Sequence, residues 1–448
     1  MKNLKVASFF AGIGGFDLGF ETADFNVIFN CENHAFCRSV LEKHWPEVQS
    51  FEDITLLTTN SIPDSDIWCA GFPCQDLSVA RGSNDRHGLK GSRSGLFFKL
   101  LKLAEEKKPE VILLENVQGL LNSNNGKDFA ELLHSLDKLN YAVSWRLLNS
   151  RYFGVPQSRP RVYICAWQEN PESAGNVLFE SRSPIKFANE RRAFLETSWS
   201  DGSGHVVPKL SFCLAATSGR HTGTDWSRTY VSYTDEVRRL TPLECERLQG
   251  FPDGWTKIEQ QQINSEKADS LRYHAIGNAV SVVVVEWIAR RIKKEFILKR
   301  NALSVNQKNQ KFLLEALNKW PGLRNTKLVA QNLSVVRESG NKFIWPNAGI
   351  VWGGQFLANN TPPALYATIQ SDLMDIIEQT KPDARYFLSP NAAEGILRRV
   401  DSQNRHLFLP LRTSLEKLSG RKYQLPKKLE ASSKQTDLYL AEIECVLL

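Results

Sequence analysis

The stretch of sequence that decides the fold is Leu4-Lys5-Val6-Ala7-Ser8-Phe9-Phe10-Ala11-Gly12-Ile13-Gly14-Gly15-Phe16. Residues 4–10 form an apolar run typical of a buried strand, and a glycine turn leads from it into an amphipathic stretch over residues 17–23. Glycines let a ligand approach the backbone closely, and the following helix N-terminus favours negative charge. The spacing Gly-x-Gly-Gly differs from the dinucleotide pattern Gly-x-Gly-x-x-Gly, so the motif alone indicates a ligand site only weakly.

Further strand-like runs occur at residues 26–30, 66–70 and 111–114, and helical stretches separate them. This alternation predicts an α/β fold with a doubly wound, mostly parallel sheet. Ligands and catalytic groups gather at the carboxyl ends of such strands. Glu32 ends the second strand, about 20 residues beyond the glycine turn, where an acid is well placed for ribose hydroxyls. The alternative is a surface glutamate at a strand end.

A cysteine stands directly after a proline in the loop Gly71-Phe72-Pro73-Cys74-Gln75. A thiol at the mouth of a sheet is where a nucleophile works, although a lone cysteine is more often a small buried hydrophobe. The eight cysteines of the chain are scattered, with no metal-ligand spacing. This argues for a reducing compartment and against zinc.

Length and composition predict a globular protein of two or three domains, with 448 residues, 42% hydrophobic and 23% charged. No apolar run reaches the roughly 20 residues that cross a bilayer, and no signal peptide is evident. We therefore expect a cytoplasmic protein with no membrane partner. Residues from 301 onward carry 19 of the 56 basic and 13 of the 49 acidic residues. That surplus suits contact with nucleic acid, or equally a solvated basic surface.

Six segments in order resemble motifs of the cytosine-C5 DNA methyltransferase family, of the bacterial and phage type with a C-terminal extension. They span about residues 4–292, and in this order at sensible spacing they are highly specific. The segments are Phe10-Ala11-Gly12-Ile13-Gly14-Gly15, Gly71-Phe72-Pro73-Cys74-Gln75, Glu115-Asn116-Val117, Gln157-Ser158-Arg159-Pro160-Arg161, Arg239-Leu240-Thr241-Pro242-Leu243-Glu244-Cys245 and Gly277-Asn278-Ala279-Val280.

The resemblance implies transfer of a methyl group from S-adenosylmethionine to cytosine C5 in duplex DNA, giving S-adenosylhomocysteine and using no metal. Cytosine C5 is a poor nucleophile, and addition of a thiolate at C6 makes it an enamine that attacks the methyl group. Cys74 is the implied nucleophile, and Glu115 is the implied carboxyl at N3. Arg159 and Arg161, two apart on a strand-like stretch, are implied to hold Glu115 and the cytosine O2. A basic strand edge is their alternative interpretation.

The resemblance also implies the cofactor pocket. Phe10 stacks near the adenine, the glycines admit the methionine end, Glu32 binds the ribose, and a helix over residues 279–292 returns beside the first strand to close the pocket. The implied cofactor-binding residues are Phe10, Ala11, Gly12, Ile13, Gly14, Gly15, Glu32, Asn33, Asp53, Ile54, Pro73, Leu96, Asn278 and Val280.

The target base is buried in a duplex, so the reaction requires base flipping. Residues 75–95 are typical of a loop that closes over DNA, or of a solvated surface loop. The target-recognition interval over 167–237 is short and interleaves basic with aromatic residues. The expected DNA-contacting residues of these two segments are Gln75, Ser78, Arg81, Arg93, Arg220, His221 and Arg228.

The predicted domains are a catalytic core over 1–166, the recognition region over 167–237, and a return to the core over 238–298. A linker over 299–311 then leads to an extra C-terminal α+β domain over 312–448, where Ser389-Pro390 predicts a helix start. Arg398, Arg399 and Arg405 are expected near phosphate. Deletion of residues 305–448 is therefore expected to weaken DNA binding and to leave cofactor binding unchanged.

Two other functions fit the catalytic motifs. One is methylation of cytosine C5 in RNA, for which tRNA is the natural test substrate, and the other is a catalytically silent DNA-binding regulator. Intact Cys74, Glu115, Arg159 and Arg161 argue against the silent regulator. We expect a monomer that acts on double-stranded DNA, within host modification, a restriction–modification pair or phage defence.

Overall fold

The computed structural model describes residues 4–73, 95–182, 197–199, 204–220, 223–258, 264–301, 319–320, 329–338 and 342–421. The strands are β1 (Lys5–Phe9), β2 (Asn26–Cys31), β3 (Gln49–Phe51), β4 (Ile67–Ala70), β5 (Val111–Val117), β6 (Tyr141–Asn149), β7 (Pro160–Gln168), β8 (Thr197–Trp199), β9 (Val206–Pro208), β10 (Tyr230–Ser232), β11 (Val237–Arg239), β12 (Val329–Asn332), β13 (Ala348–Trp352) and β14 (Gln355–Asn359). The α-helices are α1 (Gly15–Glu21), α2 (Ala35–His44), α3 (Gly95–Lys107), α4 (Lys127–Lys138), α5 (Pro171–Leu178), α6 (Pro242–Gln249), α7 (Ser265–Asn278), α8 (Val282–Asn301), α9 (Leu333–Glu338), α10 (Pro390–Ser402) and α11 (Leu409–Ser419).

Two compact units share the chain. The first unit comprises Met1–Asn149, Pro160–Lys186 and Val280–Thr368. The second unit comprises Ser150–Arg159, Phe187–Ala279 and Ile369–Leu448.

The first unit contains one large sheet with strand order β12-β14-β13-β6-β7-β5-β4-β1-β2-β3. Strands β3, β2, β1, β4 and β5 are parallel neighbours, whereas β7 runs antiparallel between β5 and β6. Every residue of β4 and of β6 is buried, as expected for central strands covered by helices on both faces. The predicted α/β class with a mostly parallel sheet is confirmed.

Helix α8 brings the chain back to the first unit after an excursion through the second. It packs against α1, where a Cβ added at Gly19 would come within 2.6 Å of the Val285 side chain. The predicted return helix over 279–292 therefore exists, but it begins at Val282, extends to Asn301 and packs on α1. No helix in the described part of the chain is long and apolar enough to cross a membrane.

The C-terminal segment does not form the predicted separate domain over 312–448. Strands β12, β14 and β13 extend the large sheet of the first unit, because β13 pairs antiparallel with β6. The β13–β14 turn places Gly353 and Gly354 at positive φ, and both amides donate to the Asp137 carboxylate of α4 at 2.8 and 2.9 Å. Deletion of residues 305–448 would remove three strands of this sheet, so the structure argues against the expectation that cofactor binding stays unchanged.

The second unit combines a small antiparallel sheet, in the order β11-β10-β9-β8, with helices α6, α7, α10 and α11. Thr241 and Glu244 form a capping box at the start of α6. Glu244 also makes a fully buried bidentate pair with Arg238 at 2.8 Å for each bond. Helices α10 and α11 belong to the C-terminal segment, so both units draw residues from it.

Candidate active site

The glycine turn connects β1 to α1 at the carboxyl edge of the parallel strands. Phe10, Gly12 and Gly14 have φ values of 52°, 57° and 83°, the left-handed region that favours glycine. A Cβ at Gly14 would lie 2.3 Å from the Trp45 ring, whereas a Cβ at Gly12 would meet no atom within 4 Å. Gly14 is therefore required by packing, while open space beside Gly12 leaves room for a ligand against the backbone.

Glu32 links the end of β2 to this turn. Its carboxylate accepts the Gly12 amide at 2.8 Å and the His34 amide at 2.7 Å, and the side chain is nearly buried. Each carboxylate oxygen retains acceptor capacity after one hydrogen bond, so hydroxyl donors such as those of a ribose can still bind there. The next residue, Asn33, is exposed.

Asp53 and Ile54 follow β3 at the same edge. The Asp53 carboxylate accepts the Thr55 amide at 2.8 Å, and this hydrogen bond lowers the pKa of Asp53. Ile54 is buried, and the Glu32 amide donates to the carbonyl of Phe51 at 2.9 Å. The segment is thus tied to Glu32 and sets a buried apolar residue next to an exposed acid.

The Gly71–Pro73 segment leaves the end of β4 beside the next acid. A Cβ at Gly71 would lie 3.6 Å from the Val280 side chain and 3.9 Å from the Glu115 carboxylate. The Asn116 amide donates to the Phe72 carbonyl at 3.4 Å, which holds the segment against β5. Leu96 lies in the first turn of α3, where it packs against the core cluster. The predicted residues Pro73, Glu115 and Val280 thereby lie close together where β4 ends.

Cys74 follows this segment directly but lies outside the described residues. The same is true of five predicted DNA-contacting residues: Gln75, Ser78, Arg81, Arg93 and His221. Their roles remain predictions.

Glu115 and Arg161 form the central polar pair of the first unit. Arg161 Nε lies 3.1 Å from a Glu115 carboxylate oxygen, and both side chains are largely buried at 15% and 11% exposure. The antiparallel pairing of β5 with β7 sets Val117 opposite Arg161, two positions from Glu115. The guanidinium also donates to the Pro160 carbonyl at 2.8 Å. Arg161 therefore fixes the position of the carboxylate.

Arg159 directly precedes β7, which begins at Pro160. Its guanidinium donates to the Leu214 carbonyl at 2.8 Å, the Gly277 carbonyl at 3.1 Å and the Ala279 carbonyl at 2.7 Å. All of these contacts lie within the second unit. Arg161 thus contacts Glu115, and Arg159 ties the backbone on either side of exposed Asn278, while a shared role of the two arginines at the base stays a prediction.

Of the predicted DNA-contacting residues in the second unit, Arg220 and Arg228 are described. Arg228 donates to the carbonyl and hydroxyl of Thr217 at 2.6 and 3.0 Å, and burial lowers its pKa. Arg220 is exposed, and its guanidinium has no acceptor among the described residues. Arg228 therefore orders the turn at residues 215–220, and Arg220 remains available to a partner.

Sequence reasoning missed two polar groups. Asp17 is fully buried in the first turn of α1, where it accepts the Ser8 hydroxyl at 2.9 Å, and burial raises its pKa to about 7. Gln157 joins Leu214, Leu248 and Gln249 in a buried amide network. Asp17 had no pattern signal, because it sits between apolar residues of a short helix. Gln157 stands in one of the six motifs, but its role in this network depends on partners distant in sequence.

The doubly wound sheet, with the glycine turn and Glu32 at its carboxyl edge, fits a methyltransferase, and similarity to known proteins gives the class. The model of the family described as "C-5 cytosine-specific DNA methylase" matches this chain over residues 4–198 and 189–294. The chain belongs to this family and is an S-adenosylmethionine-dependent DNA cytosine-5 methyltransferase.

Named relatives agree with the family. The Type II methyltransferase M.DsaV of Dactylococcopsis salina is 31% identical over 65% of this chain and 86% of its own length. The Type II methyltransferase M2.BsuMI of Bacillus subtilis is 34% identical over 65% of this chain and 76% of its own length. A solved structure, the S. pombe Dnmt2 methyltransferase, matches at 19% identity and a TM-score of 0.49 over 65% of this chain and 99% of that one. Its likeness adds no weight to the assignment.

The residues at the sheet edge fit S-adenosylmethionine. The space beside Gly12 admits a ligand against the backbone, and the Glu32 carboxylate beside it suits ribose hydroxyls. Within the described ranges, no group of three or more His, Cys, Asp or Glu side chains could hold a metal ion.

Proposed function

We propose that this protein methylates C5 of a flipped-out cytosine, within a specific duplex DNA sequence, through a covalent bond between Cys74 Sγ and C6. The observation that carries this proposal is the Glu115–Arg161 pair beside the Gly71–Pro73 segment, which leads directly to Cys74. This chemistry needs a thiol that adds to C6 and a carboxyl at N3, and Cys74 and Glu115 are the candidates for these two roles.

The proposed reaction begins when the Cys74 thiolate adds to C6, which moves an electron pair onto C5 and N3. S-adenosylmethionine, when bound, supplies an electrophilic methyl group, and C5 takes it. The C5 proton then passes to a base, the C5–C6 double bond reforms, and the thiolate is expelled. Cysteine suits both the first and the last step, because a thiolate is a good nucleophile and a good leaving group.

Glu115 is proposed to bind the cytosine edge. Its side chain can meet the exocyclic amino group of cytosine, and its carboxyl can supply a hydrogen bond or proton at N3 while the adduct forms. Arg161 acts as a positioning residue that keeps the carboxyl aligned with the base.

Glu32, Asp53 with Ile54, and Val280 are proposed to bind the cofactor, together with Phe10 and the glycine turn. Asn278 is a further proposed contact. A role in a restriction–modification pair or in phage defence is proposed from the names of the relatives, which are Type II methyltransferases. We also propose that the enzyme acts as a monomer in the cytoplasm.

The test measures transfer of labelled methyl groups to duplex DNA and to tRNA, followed by bisulfite sequencing of DNA from cells expressing the protein. We expect transfer to duplex DNA at one sequence, abolished in Cys74→Ser and lowered about 10²- to 10⁴-fold in Glu115→Gln. Glu105→Gln is the matched control, since Glu105 is exposed on α3. Retained turnover in Cys74→Ser would refute the covalent step, and transfer to tRNA alone would refute the DNA substrate.

A further inference from the structure

The C-terminal helices α10 and α11 complete the core of the second unit. Ile396, Leu397 and Val400 of α10, with Leu411 and Leu415 of α11, lie in one buried cluster. The same cluster contains Val206, Tyr230 and Val237 from the small sheet. Because β8 to β11 are each three residues long, the sheet depends on these helices for an apolar partner.

One loop of the second unit, residues 223–228, is held by the end of α10. The Asp225 carboxylate is 1% exposed, and Arg399 binds it through Nε at 2.8 Å and Nη2 at 2.7 Å. The Tyr230 hydroxyl donates to the other carboxylate oxygen at 3.3 Å. A buried carboxylate needs such partners, so Arg399 is the group that keeps the loop in this position.

A second set of contacts comes from the turn after α10, at residues 403–406. The Gln403 amide donates to the Gly223 carbonyl at 2.9 Å, and its oxygen accepts Trp226 Nε1–H at 3.1 Å. The Arg405 guanidinium lies 4.4 Å from the centroid of the Trp226 ring. Gly223 and Trp226 of the loop are thus held by residues far away in sequence.

Arg405 has a free hydrogen-bonding edge. Stacking on an aromatic ring uses the face of a guanidinium and leaves its N–H donors available in the plane. The described residues provide no acceptor for these donors, and both Arg405 and Trp226 are partly exposed. A planar, bidentate cation of this kind matches a phosphate group.

We propose that the loop 223–228 and the turn 403–406 form one DNA-contacting surface, in which Arg405 binds a backbone phosphate and Arg399 and Gln403 position the loop that reads the sequence. The proposal rests on the proposed function, because it assigns the surface to the DNA substrate of that reaction. It also assigns a role to the C-terminal segment: completion of the recognition unit.

The experiment uses the full-length protein and two duplexes, one with the methylated sequence found by bisulfite sequencing and one without it. Arg405→Ala is expected to weaken binding to both duplexes about tenfold and to lower the slope of log K against log salt by about 1. Arg405→Lys keeps the charge and should retain that slope. The matched control Arg412→Ala removes an arginine whose partners are Asp401 and Glu416, and its DNA affinity should equal that of the wild type.

The positioning role is measured as the ratio of the affinity for the duplex with the methylated sequence to the affinity for the duplex without it. Arg399→Ala and Gln403→Ala should lower this ratio at least fivefold, with unchanged affinity for S-adenosylmethionine. Gln403 is exposed, so its variant keeps the test valid if Arg399→Ala fails to fold. Wild-type affinity and salt slope in Arg405→Ala, or an unchanged ratio in Gln403→Ala, would overturn the proposal while methyl transfer by the wild type still upholds the proposed function.

Discussion

Trp345 tests whether the C-terminal segment is part of the catalytic fold. Its indole is 2% exposed, and its ring centroid lies 4.7 Å from that of Phe356 and 5.3 Å from that of Phe129. Its Nε1–H donates to the Gly126 carbonyl at 2.8 Å. Truncation of a buried tryptophan to alanine costs about 3–5 kcal/mol. We therefore expect Trp345→Ala to lower the free energy of unfolding by about 4 kcal/mol and the melting temperature by about 4–7 °C.

The assay is urea and thermal unfolding of the full-length protein, followed by circular dichroism and by loss of S-adenosylmethionine binding. Ile344→Ala is the matched control, since the neighbouring Ile344 is 61% exposed and should change stability by less than about 0.5 kcal/mol. Equal stability of the two variants would refute the reasoning. So would a Trp345→Ala protein that unfolds its C-terminal segment separately while retaining wild-type cofactor binding.

Three further predictions concern the sheet edge and its supports. Burial raises the pKa of Asp17 from 3.8 to about 7, so the wild type loses stability as the pH rises through that range. In urea unfolding, the free energy of unfolding of Asp17→Asn relative to the wild type should be about 3 kcal/mol higher at pH 8 than at pH 5. A difference that does not change with pH would contradict this. Gly12→Ala should weaken S-adenosylmethionine binding and cost about 1–2 kcal/mol of stability, because its φ of 57° is strained for alanine. Gly14→Ala should lower the melting temperature further because its Cβ would also meet Trp45; equal melting temperatures of the two variants would show that this clash is absent. Arg161→Ala should lower turnover on DNA about 10²-fold. Arg159→Ala should lower the free energy of unfolding by about 3 kcal/mol, because it removes the guanidinium donors to three carbonyls, of which that of Ala279 keeps a hydrogen bond from Gln249 at 3.3 Å; the same turnover and stability in both variants would contradict their assignment.

The sheet edge was largely predictable from the sequence. A buried strand, a glycine turn and an acid about 20 residues later specify a local geometry, because short-range sterics fix the turn and parallel strands end at one edge. Glu32 and the glycine turn accordingly meet in the structure, and Glu115 lies beside the Gly71–Pro73 segment. The family motifs added the identity of the reaction, which strand and turn patterns do not specify.

The arginines required the tertiary structure. Arg159 and Arg161 look equivalent in sequence, but their described partners differ: Arg161 pairs with Glu115, and Arg159 donates to the Leu214 carbonyl. These partners lie on segments that only folding brings near, so the residues around 159–161 carry no pattern that assigns them.

By itself, the sequence determined the reaction class, the parallel sheet and the residues along its carboxyl edge, since each of these depends on local patterns. The tertiary structure decided where the C-terminal segment belongs. Part of it extends the large sheet beyond β6, and part completes the second unit around the loop 223–228. The physical reason is that an edge strand and a small sheet both need partners for their backbone and apolar groups, and contacts distant in sequence leave no periodic signal along the chain.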